Sequence, residues 1–216
     1  MINQMNLSET LTIALTKGRV LDETLPLLEG IEPGLAENLQ RSRKLVYGDG
    51  QYKFLLIRGS DVPTYVKHGA ADLGIAGKDI LLEHGSTGLY ELLDLGICRC
   101  AFHVAGLKDE PAISGRIRVA TKFMNIARRY FAQQGTQVEL IKLNGALELA
   151  PIMGLAHRIV DIVETGNTLK ANGLVPQAKI VDISTRLVVN AASMKTKFKL
   201  VQTFKQEIEA ALAAQT

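Results

Sequence analysis

The sequence predicts an α/β protein of two lobes with a cleft between them. Three observations carry that reading. Short apolar segments alternate with helical patterns, which implies mostly parallel sheets covered on both faces. Several of those segments end in polar, glycine-bearing turns that open a helical pattern, the form of an anion site. A cluster of glycine, proline and charge at residues 105–114 then separates one α/β set from the next. In open α/β sheets, ligands gather beyond the strand C-terminal ends, so these turns are expected to face the cleft.

The first set opens with an apolar strand at residues 11–15, the turn Thr16-Lys17-Gly18-Arg19, and a helical pattern from Val20 to Leu28. The turn reads as an anion site with two cations, or as a solvated turn with surface charges. Residues 31–38 are loop or short helix. Arg41, Arg43 and Lys44 precede a strand at 45–47, and 52–58 pairs with it as a hairpin that ends in Arg58. A helix at 62–68 follows, capped by Ser60 or Asp61 and carrying Pro63 in its first turn. Residues 73–76 form a short buried strand, and Gly77 opens a helix at 79–84. Neither the Walker A nor the dinucleotide-binding glycine spacing occurs. Residues 90–95 and 96–104 add strands.

The second set predicts strands at 117–120, 138–143 and 159–163, with helices at 125–134, 148–155 and from 168. Residues 178–190 give one or two closing strands, and 195–214 a final amphipathic helix. The central stretch runs from Val160 to Leu169. Its apolar residues suit a strand end buried on both faces. Thr165, Gly166, Asn167 and Thr168 then offer hydroxyls, an amide and a free φ ahead of a helix dipole, which suits phosphate. Asp161 and Glu164 would repel phosphate, so they answer something else; ribose hydroxyls or Mg²⁺ fit. Together these groups suggest a phosphoribosyl site. On local pattern alone the stretch reads equally as a helix capped by Thr165 or Asn167.

Composition narrows the classes. The 216 residues are 47% apolar, enough for a sizeable core, and the formal charge is +3. No apolar run approaches the roughly 18 residues of a membrane span, and residues 1–10 lack a signal-peptide core. These features predict a cytoplasmic protein that binds neither membrane nor nucleic acid; tryptophan is absent and aromatics are few. Cys98 and Cys100 are expected on one face of a strand as reduced thiols. His68, His84, His103 and His157 lack metal-ligand spacing, His157 is placed at a helix end, and no internal repeat is evident.

Taken in order, the motifs resemble those of the short form of ATP phosphoribosyltransferase. They are Ala14 to Arg19, Arg58 to Val66, Gly69 to Asp79, Arg118 to Phe123, Leu143 to Pro151, and Asp161 to Leu169 continuing to Leu174. The resemblance covers nearly the whole chain. Thr16 and Met124 stand where that family commonly has proline, so the turn at Thr16 is expected to be less rigid. The resemblance implies a two-lobed fold like the periplasmic binding proteins, with the active site in the interlobe cleft. Its lobes would be residues 1–104 plus 189–216, and 105–188.

The resemblance also implies transfer of phosphoribose from 5-phosphoribosyl 1-pyrophosphate to N1 of ATP, with Mg²⁺, in histidine biosynthesis. It implies a homodimer within a hetero-oligomer, whose regulatory subunit resembles histidyl-tRNA synthetase; the chain ends where the long form carries a regulatory domain. By resemblance and chemistry, Thr165, Gly166, Asn167 and Thr168 cradle the 5′-phosphate, and Asp161 and Glu164 hold the ribose hydroxyls. Arg58 stabilises the leaving pyrophosphate. Lys17 and Arg19 contact phosphate from the first lobe, Gly77 admits substrate to the backbone, with Lys78 beside it, and Glu148 orients adenine or a water. Arg41, Arg43 and Lys44 reach ATP phosphates or form a solvated run. Rival readings are a solute-sensing module and a phosphoribosyltransferase for another base.

Overall fold

The computed structural model describes residues 10–41, 44–48, 50–85, 87–109, 113 and 115–215. The chain forms two compact units, one of Met1–Cys98 with Ser184–Thr216 and one of Arg99–Ile183.

The first unit is built on six strands. These are β1 (Leu11–Thr16), β2 (Val46–Tyr47), β3 (Tyr52–Ile57), β4 (Leu73–Gly77), β5 (Leu89–Asp94) and β11 (Thr185–Asn190), in the order β2-β3-β1-β4-β11-β5. Strands β3, β1 and β4 run parallel, while β2, β11 and β5 are antiparallel to their neighbours. Helices α1 (Arg19–Glu29), α2 (Leu35–Arg41), α3 (Val62–Lys67) and α4 (Lys78–His84) join the early strands. The expected closing helix is two, α8 (Ser193–Thr196) and α9 (Phe198–Ala213), separated by Lys197.

Both sheet faces are covered, which explains the near-continuous apolar runs. Leu11, Ile13, Leu15, Leu73 and Ile75 pack with Leu27 and Leu28 of α1 and Val201, Phe204 and Ile208 of α9. Ala14 and Ala76 lie in a second cluster with Val62, Val66 and Val188. A Cβ on Gly74 would come within 2.6 Å of Val62 and 2.8 Å of Val66, so glycine sets how closely α3 approaches β4.

The second unit holds β6 (Cys100–Leu107), β7 (Ile117–Thr121), β8 (Val138–Lys142), β9 (Arg158–Val163) and β10 (Leu174–Ile183), ordered β10-β6-β9-β7-β8. Its helices are α5 (Met124–Gln133), α6 (Leu149–Ile152) and α7 (Asn167–Ala171). Strands β9, β7 and β8 are parallel, and β6 and β10 antiparallel. Set beside the first sheet, β8-β7-β9-β6-β10 matches β3-β1-β4-β11-β5 in order and direction. The two sheets therefore share one spatial arrangement of strands, although β6 opens its unit and its counterpart β11 closes the first.

Other departures are local. Residues 178–190 divide at Ser184, so β10 belongs to one unit and β11 to the other. Cys98 lies outside β6 with φ 51, so it does not share a strand face with Cys100. His157 precedes β9 rather than ending a helix; its Nδ1 accepts the Arg118 N–H at 2.9 Å, and its own N–H donates to Arg118 O at 2.9 Å. Among the described residues no helix is long and apolar enough to cross a membrane.

A buried charge network closes the first unit. The Asp72 carboxylate, on a residue 6% exposed, accepts from Lys197 Nζ at 2.8 Å, Ser193 Oγ at 2.6 Å and the Thr12 N–H at 2.9 Å. Lys197 also donates to Thr10 O at 2.8 Å. Asp72→Ala leaves an ammonium, a hydroxyl and an N–H facing a void. The expected loss is about 3–5 kcal/mol, the usual result of breaking a buried pair from one side. Urea unfolding measures it; a change under 1 kcal/mol contradicts the role.

Candidate active site

In the second unit, β7 lies between its parallel neighbours β8 and β9, so three strand C-terminal ends sit side by side. The fully buried Thr121 fastens them. Its Oγ1 donates to Val160 O at 2.7 Å and accepts the Phe123 N–H at 2.9 Å, while its carbonyl accepts the Leu143 N–H at 3.1 Å. Lys122 follows on β7, Glu148 comes in after β8, and Asp161 and Glu164 come from β9 and its end. The turn to Glu148 passes through Ala146 at φ 48, a left-handed conformation that costs a non-glycine residue energy and often marks a functional site.

Burial pushes the Asp161 carboxyl above the usual aspartate range, and the Ile162 N–H on Oδ1 at 2.8 Å pulls it partly back. The Glu148 charge adds to the rise and the Lys122 charge opposes it. These groups thus share one electrostatic field. The adjoining turn bends at Gly166, whose φ of 75 suits glycine. Gly166 caps α7 without a side-chain hydrogen bond, correcting the expected cap by Thr165 or Asn167. Thr165 Oγ1 accepts the Asn167 N–H at 3.4 Å, a weak contact, and buried Leu169 anchors the helix. Thr165, Asn167 and Thr168 are exposed. A cavity of about 610 Å³ in this unit, lined by Met124, Arg128, Phe131 and Val138, includes none of these residues.

The first unit presents its own set at the ends of β1, β3 and β4. Thr16 Oγ1 donates to Ile75 O at 2.8 Å, which ties the end of β1 to β4. Its methyl sits where a Cβ on Gly59 would come within 2.8 Å. Lys17 and Arg58 are exposed. Arg19 is committed elsewhere: its Nε meets Glu23 Oε1 at 2.7 Å, and Glu23 Oε2 accepts the Cys98 N–H at 2.7 Å. That i,i+4 pair was readable from spacing. The space over Gly77 belongs to the Asp79 carboxylate, and Lys78 pairs with Glu91. Lys44 is exposed; Arg43 and the side chain of Arg41 lie outside the described residues.

Comparison with known proteins decides the family. A family model described as ATP phosphoribosyltransferase matches residues 58–210. An ATP phosphoribosyltransferase of Alcanivorax borkumensis is 55% identical over 210 residues, 96% of this chain and 98% of its own length. One from Marinobacter nauticus is 56% identical over 208 residues, 95% and 97% of the two chains. The solved ATP phosphoribosyl transferase (HisG:HisZ) complex from Thermotoga maritima superposes with TM-score 0.85 at 35% identity, over 95% of this chain and 100% of that one. The chain belongs to the ATP phosphoribosyltransferase family.

An ATP phosphoribosyltransferase moves phosphoribose from 5-phosphoribosyl 1-pyrophosphate to N1 of ATP, releasing pyrophosphate, as the first step of histidine biosynthesis. The alkanesulfonate-binding protein SsuA of Xanthomonas axonopodis aligns at TM-score 0.57 and 15% identity, over 94% of this chain and 73% of that one. The fold is thus the two-lobed periplasmic-binding-protein type.

Asp161 makes this transferase's stability depend on pH. Its folded carboxyl holds a proton more tightly than the unfolded chain does. Its contribution therefore worsens as pH rises through the window from the ordinary aspartate value to the raised one, and the penalty is complete above it. Asp161→Asn is expected to be more stable than the parent at pH 7, with the gap narrowing as pH falls toward about 4. Urea midpoints across pH measure this; a pH-independent gap contradicts it.

Proposed function

We propose that this chain carries the transferase centre on the strand ends described above. What supports this reading is that Glu148 and Lys122 both act on the Asp161 carboxyl of β9, and that the Gly166 turn follows the end of β9, one of three parallel strands side by side. Thr165, Gly166, Asn167 and Thr168 receive the 5′-phosphate. Asp161 and Glu164 accept the ribose hydroxyls, and their negative charge favours the cationic ribose that develops as the glycosidic bond breaks. Adenine N1 brings its own lone pair, so the work is positioning and electrostatics. Glu148 orients the base or a water.

In the first unit, Lys17 and Arg58 bind the departing pyrophosphate. A guanidinium can fork two phosphate oxygens and stays charged throughout. The Arg58 carbonyl accepts the Asp61 N–H at 2.9 Å, but among the described residues its guanidinium makes no hydrogen bond or ion pair, which leaves it available. Arg19 acts through its hold on Glu23, with any phosphate contact secondary. Gly77 keeps the turn beneath Asp79 close. The hard oxygens of Asp161, Glu164, ribose and pyrophosphate fit Mg²⁺, which commonly binds through one or two carboxylates plus substrate phosphates. When bound, it neutralises charge on the leaving pyrophosphate.

The relatives matched nearly end to end, and the complexed neighbour, support a short-form catalytic subunit. Its partner would be a regulatory subunit of the histidyl-tRNA synthetase type, with this chain a homodimer in a cytoplasmic hetero-oligomer.

Arg58→Ala is expected to lower kcat by about 10²–10³, about 2.7–4 kcal/mol on the scale of a lost oxyanion donor. Affinity for both substrates should change far less. Steady-state kinetics with parallel calorimetric binding separate the two, and equal losses in both sink this role.

A further inference from the structure

The shared strand arrangement pairs residues that sequence comparison within the chain does not. Strand β1 in the first sheet and β7 in the second hold the same place, each between two parallel neighbours. Both end in a threonine followed directly by a lysine, at Thr16-Lys17 and Thr121-Lys122. Each threonine is buried, and each Oγ1 donates to a carbonyl of the matching parallel neighbour: Ile75 on β4 at 2.8 Å, and Val160 on β9 at 2.7 Å. Lys122 therefore occupies in the second unit the place Lys17 occupies in the first.

Charge gives that place a use. The ligand groups proposed in the second unit, Glu148, Asp161, Glu164 and residues 165–168, are acidic or neutral. A phosphate monoester brings about −1.5 to −2 at neutral pH, and three carboxylates nearby oppose its binding. Lys122 is exposed, its ammonium lies 5.4 Å from the Phe123 ring centroid, and its charge is felt at Asp161. A lysine ammonium is a compact charge with three rotatable donors on a long stem, able to serve a phosphate beside a carboxylate.

We infer that Lys122 is a substrate-binding residue for the 5′-phosphate of the phosphoribosyl donor, supplying the positive charge that the Glu164–Thr168 turn lacks. This rests on the active-site reading above and adds a ligand to it.

The test is calorimetric binding of ribose 5-phosphate, 5-phosphoribosyl 1-pyrophosphate and ATP to the parent, Lys122→Ala and Lys122→Arg. Lys122→Ala should weaken both phosphoribosyl ligands about tenfold or more, while Lys122→Arg keeps most of the affinity and ATP binding stays unchanged. In turnover, the loss should fall on KM for the donor more than on kcat. The exposed site protects the fold, which an unchanged Tm confirms. Lys122→Ala binding ribose 5-phosphate as the parent does overturns the inference and leaves the active-site reading standing. A parent that binds neither phosphoribosyl ligand overturns both. In an Asp161→Asn background the Lys122→Ala effect should persist; its disappearance means that Lys122 acts only through Asp161, and overturns the assignment to phosphate.

Discussion

The ion pair of Asp72 and Lys197 lets a divided chain make one body. The first unit gives up the chain at Cys98 and recovers it at Ser184. The returning β11 must then enter between β4 and β5. Asp72 sits just before β4 and is bonded to the start of β1, to Ser193 and to Lys197. Its carbonyl also accepts the Asn190 N–H at 2.9 Å, directly at the end of β11. The Asn190 side chain continues the network to Val66 O at 2.6 Å. Sequence-distant elements that would otherwise meet only through apolar contact are thereby set in register. The ends of β1, β3 and β4, which carry Lys17 and Arg58, inherit that register.

A second constraint acts at the strand ends. A buried threonine in each unit crosslinks its central strand to a parallel neighbour, fixing the backbone just before the exposed cation. Rigid strands holding reactive turns is the usual arrangement of α/β sites. The second unit accepts a stability cost there, because burial disfavours the charged form of Asp161. Activity and stability pull apart at such a residue. In the function proposed above, a cationic ribose against Asp161 would relieve that penalty.

Much of this was legible in the sequence where burial acts on both faces of a strand. β1, β4 and β9 announce themselves as short apolar runs ending in polar turns. The β9–α7 turn was legible because glycine, hydroxyls and carboxylates are adjacent in the chain. Asp72 was visible within a motif, but its partner Lys197 is 125 residues away, and no local pattern joins them. The division of residues 178–190 stayed hidden because Ser184 alone separates β10 from β11, with neither glycine nor proline to mark it. The shared strand arrangement stayed hidden because it conserves strand order rather than side chains; Thr-Lys at 16–17 and 121–122 is its visible trace. The pairing of Arg19 with Glu23, one helical turn on, lies in the i,i+4 spacing, which the anion-site pattern of the turn does not show.

The most direct measurement is a crystal structure with 5-phosphoribosyl 1-pyrophosphate and Mg²⁺ bound. The account expects the 5′-phosphate on the backbone N–H groups of residues 165–168, with the ribose hydroxyls against Asp161 and Glu164. A donor whose phosphate lies away from that turn, or whose ribose leaves both carboxylates untouched, contradicts it.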